Sequence, residues 1–163
     1  MKSYFDKTLT TLAYMEDIYK APFMCAGFAR RYAEILLTGE LNDKKDEIYN
    51  RASAWNFQYG NKKIWSLEDC FFDPKILKTG MIAGIKLPHS IFNRRRDSRG
   101  NPVRNTHMAV IKEVKQKECG LEYIIAHNVG GINLCENLFD FLQRNDAHIV
   151  DIFCPKDAGL IKT

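Results

Sequence analysis

Two short stretches with period-two alternation constrain this chain more than anything else in it. His107-Met-Ala-Val-Ile-Lys-Glu-Val114 and Leu121-Glu-Tyr-Ile-Ile-Ala-His127 each read as a strand, and the polar link 115–120 between them is short enough for a hairpin. Alternation puts His107, Ala109 and Ile111 on one face of the first strand, and Leu121, Tyr123, Ile125 and His127 on one face of the second. Folded symmetrically about residue 117, the hairpin sets His107 opposite His127, with Ala109 facing Ile125 and Ile111 facing Tyr123. A two-residue slip keeps the face and staggers the pair. The result is an apolar sheet face carrying two imidazoles at one end.

Around the hairpin the period changes along the chain. Residues 5–19 place Phe5, Leu9, Leu12 and Ile18 at helical spacing before Pro22. A second helix runs from Cys25 through Phe28, Tyr32, Ile35 and Leu36 to a stop at Gly39. Asn42 or Asp43 can cap a third, reaching about Phe57. In the back half, 81–87 reads as a buried strand, 135–144 as a short helix after Gly130-Gly131, and 148–153 as a last strand. Helices followed by an antiparallel sheet make an α+β domain, and 163 residues with 45% apolar content fit a single one over 1–163.

Cys25 heads its helix, where unpaired N–H groups and the macrodipole favour a thiolate. If that helix packs on the histidine face, its thiol meets the imidazole pair. Cys25 then serves as nucleophile, His107 as general base, and His127 as the group that orients the base. The backbone N–H of Cys25 is a natural oxyanion donor, and Tyr14 can add a hydroxyl to the same pocket, in competition with Tyr19 or a plain packing role. Asn128 is the alternative orienter, although alternation puts it on the other face. His89 and His148 fall outside this geometry. Cys70, Cys119, Cys135 and Cys154 read as inert, because five cysteines without C-x-x-C spacing favour neither a zinc site nor a disulfide framework. No metal or other cofactor is expected.

A net charge of +4 gives a mild attraction to acidic partners. Much of it is local, in Arg94, Arg95, Arg96, Arg99 and Arg104 of the irregular stretch 88–105. That run reads either as a solvated loop or as a contact for phosphate or carboxylate groups of a polymer. No nucleic-acid motif accompanies it, so nucleic acid is not the expected partner. No run of about 18 apolar residues occurs, so no membrane span is expected. The start lacks the apolar core of a signal peptide, which implies synthesis in the cytoplasm and delivery, if any, by dedicated machinery or lysis.

At these residues the chain resembles the NlpC/P60 cysteine peptidases, a branch of the papain-like superfamily. Members carry Asp-Cys-Ser-Gly-Leu/Phe opening a helix, and Met24-Cys25-Ala26-Gly27-Phe28 matches at the cysteine, the glycine and the aromatic. Lys78-Thr79-Gly80-Met81-Ile82 is a looser match to their Gly-Asp strand start, His107-Met108-Ala109-Val110-Ile111 to their histidine strand, and Ile124-Ile125-Ala126-His127 to the polar end of the next. The likeness spans about 14–128. It departs at Met24, Ala26 and Met81, which stand where the family has Asp, Ser and Asp.

The resemblance implies N-terminal helices packed on an antiparallel sheet with the nucleophile at a helix head. It also implies hydrolysis of amide bonds in peptidoglycan stem peptides, without a metal, and gives Tyr14 the place of the tyrosine that contributes in some members. Two contexts then fit: a phage protein working with virion components, or a secreted effector with an immunity protein as partner. The reading from another class is a papain-like domain kept as a binding or virion module without turnover.

Overall fold

The computed structural model describes residues 25–29, 32, 54–55, 62–130 and 132–154. The expected helices over 5–19 and 42–57 lie outside these residues except for Ala54 and Trp55, and Tyr14 lies outside them altogether. The described residues form a six-stranded, wholly antiparallel sheet with few helices. Its strands are β1 (Lys62–Ser66), β2 (Ile82–Lys86), β3 (His107–Lys117), β4 (Gly120–Val129), β5 (Ile132–Asn137) and β6 (His148–Cys154). In space they run β1-β6-β2-β3-β4-β5, so the last strand inserts between the first two. Residues 25–29 form a helical turn, α1, and Leu138–Arg144 forms α2. No helix among the described residues is long and apolar enough to cross a membrane.

Each face of the sheet has its own core. On one, Ala26, Phe28, Ala29 and Tyr32 pack with Ile82, Met108, Val110, Ala126 and Phe153. On the other, Leu138, Phe141 and Leu142 of α2 pack with Ala83, Ile85, Ala109, Ile111, Tyr123 and Ile125. Alternation thus sorts the hairpin residues as the sequence suggests.

The hairpin register differs from the symmetric expectation. Val110 pairs with Ala126 and Ile111 with Ile125, while beyond a one-residue bulge at Lys112 the pairs become Glu113 with Ile124 and Val114 with Tyr123. The turn itself is tight: Lys117 pairs with Gly120, leaving only Glu118 and Cys119 between them, and Gly120 takes φ 126, a conformation open to glycine. A later turn and one bulged residue together slide the histidine end by two positions. His127 therefore falls level with Ala109, and His107 sits on the diagonal.

Two other expectations change. The first half of the anticipated 135–144 helix is strand: β5 pairs with β4 from Val129↔Ile132 to Ile124↔Asn137, turned at Gly130 with φ 60. The helix starts only after Asn137, whose side chain accepts from the Asp140 N–H at 3.0 Å and caps it. Pairing β5 satisfies the free edge of β4, which outweighs the local helical pattern. Strand β1, unread in the sequence, pairs with β6.

The arginine run is not one solvated patch. Arg104 reaches inward: its Nε and Nη2 donate to Asp151 at 3.0 and 2.9 Å, Nη2 donates to Ser66 at 2.7 Å, and its guanidinium also pairs with Glu68. Asp151 is fully buried, and Asn105 and Ser66 donate to it at 3.0 and 2.9 Å with Lys63 at 3.4 Å. Gly84 makes room for this cluster, since a Cβ there would lie 2.6 Å from Asn105 Oδ1. Arg95 lies over the Trp55 ring at 5.9 Å, and Arg96 donates to the Gly100 carbonyl at 2.9 Å.

Candidate active site

His107 and His127 stand side by side, as the alternation suggests, but across a diagonal. His107 Nε2 lies 2.8 Å from His127 Nδ1, with the rings edge to face at 5.0 Å. Diagonal neighbours on a sheet face sit about 7–8 Å apart, within reach of two imidazoles. The line continues across the next strand pair. His127 is level with Leu134 on β5, and its Nε2 reaches Glu136 Oε2 at 2.8 Å, two residues further on. Arg144, in the last turn of α2, pairs with Glu136 Oε1. One oblique row thus crosses three strands: His107, His127, Glu136.

Phe141 of α2 covers both imidazoles, its ring 5.5 Å from that of His107 and 4.8 Å from that of His127. Burial is what sets the chemistry here. Desolvation, then repulsion from His127, holds His107 well below the ordinary imidazole range. His127 is also lowered by burial, with Glu136 opposing. Glu136 itself is raised by burial, but Arg144 and His127 outweigh that and keep it ionised. Near neutral pH the row is two uncharged imidazoles ending in a carboxylate.

Cys25 comes to this site from the other side. Its helical turn packs on the face of Met108, Val110 and Ala126, not on the histidine face. The β3–β4 ladder begins at Val110↔Ala126, two residues short of Met108, and the Met108 backbone N–H is left to serve the Cys25 sulfur. The N–H groups of Ala26 and of Cys25 itself also serve that sulfur. The thiol therefore sits against the residue next to His107, where the two strands part. Among the described residues no hydrogen bond joins Cys25 Sγ to His107. Desolvation dominates over the three N–H groups and pushes the thiol up to about 11.

Asn128, the alternative orienter, donates from Nδ2 to Asn133 Oδ1 at 2.9 Å across β4–β5. His89 lines a cavity of about 520 Å³ between the segment after β2 and the end of α2, with Arg144 in its wall. His148 pairs with Lys86 on β2. Among the described residues no group of three His, Cys, Asp or Glu is set to hold a metal ion.

Glu136, Arg144 and Phe141 are the site residues that sequence reasoning missed. The available signal was Gly130-Gly131 directly after a strand, which marks a second hairpin, with Ile132, Leu134 and Glu136 alternating on one face. No family model, curated protein or solved structure matches the chain.

Proposed function

We propose that this chain is a papain-like cysteine hydrolase of the NlpC/P60 type, cleaving amide bonds of peptidoglycan stem peptides. The observation that carries the proposal is that Cys25 and His107 lie at one strand end, on its two faces: the sulfur takes the N–H of Met108, and the preceding residue is half of a buried imidazole pair. In the reaction Cys25 Sγ attacks the carbonyl carbon as His107 takes the thiol proton. His107 then delivers that proton to the leaving amine, and water, deprotonated by the same imidazole, releases the acyl group. His127 stays behind His107 and stabilises the imidazolium that forms. The N–H groups gathered at the sulfur stabilise developing negative charge. The peptidoglycan substrate, and a phage or secreted-effector setting, rest on the likeness of 24–28, 107–111 and 124–127 to that family.

A second reading has a specific observation in its favour. A thiol pushed up to about 11 with no hydrogen bond to His107 suits a module that binds wall or virion components without turnover. Purified sacculi incubated with wild type and Cys25→Ala, with released fragments identified by mass spectrometry, separate the two. The hydrolase reading expects muropeptides from wild type alone. Equal release by both proteins removes Cys25 as nucleophile, and sacculus binding without release by either supports the binding module.

A further inference from the structure

We infer that Glu136 is a positioning residue that dictates which nitrogen of each imidazole carries the proton, leaving the lone pair of His107 on Nδ1. The inference rests on the reading of His107 as the base that serves Cys25, and the bonding row supplies its logic. A carboxylate offers only acceptors, so at 2.8 Å from Glu136 Oε2 the His127 Nε2 must carry the hydrogen. A neutral imidazole holds one such hydrogen, so His127 Nδ1 is a lone pair. The contact at 2.8 Å between that atom and His107 Nε2 then makes His107 Nε2–H the donor. By elimination, His107 Nδ1 is the basic nitrogen.

Each step is forced by the one before it, and the first is forced by Glu136. Without a carboxylate at the end of the row, the opposite polarity is equally well bonded: His127 Nδ1–H donates to His107 Nε2, and the hydrogen of His107 moves to Nδ1. In that state His107 offers no lone pair from Nδ1 and cannot take a proton there. Arg144 acts one step further out. Its hold on Oε1 turns Oε2 toward His127 and keeps Glu136 charged. When His107 Nδ1 accepts the thiol proton, the positive charge it gains is met by the His127 lone pair, whose own N–H is already committed to a carboxylate. No proton has to leave the row, so charge and proton count stay balanced through the transfer.

The tautomers are read directly from the ¹⁵N shifts of the ring nitrogens in the full chain, labelled at histidine, near pH 7.5 and without substrate. The expected result is that His107 and His127 are both neutral and both protonated on Nε2. Glu136→Ala is expected to release that order, giving mixed or inverted tautomers at both histidines, with the amide spectrum confirming the fold. Glu136→Gln keeps an acceptor oxygen without the charge and is expected to restore the Nε2–H forms. The inference is overturned if wild-type His107 carries its proton on Nδ1, or if a folded Glu136→Ala protein keeps both wild-type tautomers. The wild-type measurement decides even where the alanine variant does not fold. Because no turnover is measured, a failure here leaves the hydrolase proposal to the sacculus assay, and a failure there leaves the tautomers standing.

Discussion

Two buried polar groups occupy opposite faces of the same sheet and solve the cost of burial in opposite ways. At Asp151, on the α1 face by alternation from Phe153, a fully buried carboxylate stays charged. Burial raises it, but Arg104, Asn105 and Ser66 outweigh that and lower it overall. At His107 and His127 the groups meet burial by giving up their charge, and only the outermost member, Glu136, remains ionised. In the ion cluster every oxygen and nitrogen that faces Asp151 is engaged, so it ties β1 and β6 to the segment before β3 and leaves the carboxylate nothing to offer a substrate. A neutral relay under a phenylalanine is held by few bonds and keeps the capacity to take a proton. The first is built to stay as it is, and the second to change state.

The strongest way to break this contrast is to remove the counter-charge on the first face. Arg104→Leu leaves the buried Asp151 carboxylate with only Ser66, Asn105 and the more distant Lys63, and urea denaturation is expected to show a loss of up to about 3–5 kcal/mol. Asp151→Asn with Arg104→Leu should recover a good part of that loss, because the penalty belongs to the unpaired charge.

Acid tests the second face. Both imidazoles titrate below the ordinary 6.5 in the folded chain, so the unfolded chain binds protons first as pH falls. Their contribution is complete above about pH 6.5 and is lost as pH drops below it, by up to about 1.4 kcal/mol per pH unit for each histidine. Unfolding free energies between pH 7.5 and 5 measure the slope. His127→Gln should flatten it. A flat wild-type profile would show that the imidazoles take up protons in the folded chain as they do in the unfolded one.

Thiol reactivity sharpens the site further. With Cys25 pushed up to about 11, its thiolate is scarce near pH 7.5, and iodoacetamide should reach exposed Cys70 and Cys119 at least about tenfold faster. Peptide mapping over time gives the order, and Cys25 reacting first would place the thiol in an activated pair already in the free protein. The smallest effect is expected at Arg144→Gln. Its side chain is mostly exposed, so stability should move by less than about 1 kcal/mol. The His127 titration should still rise, because Arg144 contributes to holding it down.

Much of the sheet was legible because its central strands carry clean signals. Ile82–Lys86 and the two hairpin strands are β-branched runs bounded by Gly, Pro or polar links, and their alternation sorted His107 from Met108. Strand β1 was not legible: Lys62-Lys63-Ile64-Trp65-Ser66 is a mixed, edge-type sequence whose strand state comes from pairing with β6. The same holds for β5, where Cys135-Glu136-Asn137 continues a helical spacing into α2, so Glu136 was lost from the site. The packing face of α1 also escaped, since an amphipathic helix states that it will bury a stripe and not against which side of a sheet. Register was out of reach for a simpler reason. A bulge is a property of two backbones, and nothing in Ile111-Lys112-Glu113 announces it.

That bulge gives the hairpin a reading frame. Side chains change face with every single-residue step, so a Lys112 paired in the ladder would put His107 on the wrong side of β4, and the bulge that sets it outside the ladder returns His107 to the His127 face. Deleting Lys112 alone would leave every pair intact, with Ile111 still opposite Ile125 and Glu113 opposite Ile124, and keep the two histidines together. A residue added elsewhere between them, with no bulge to take it up, would turn them apart.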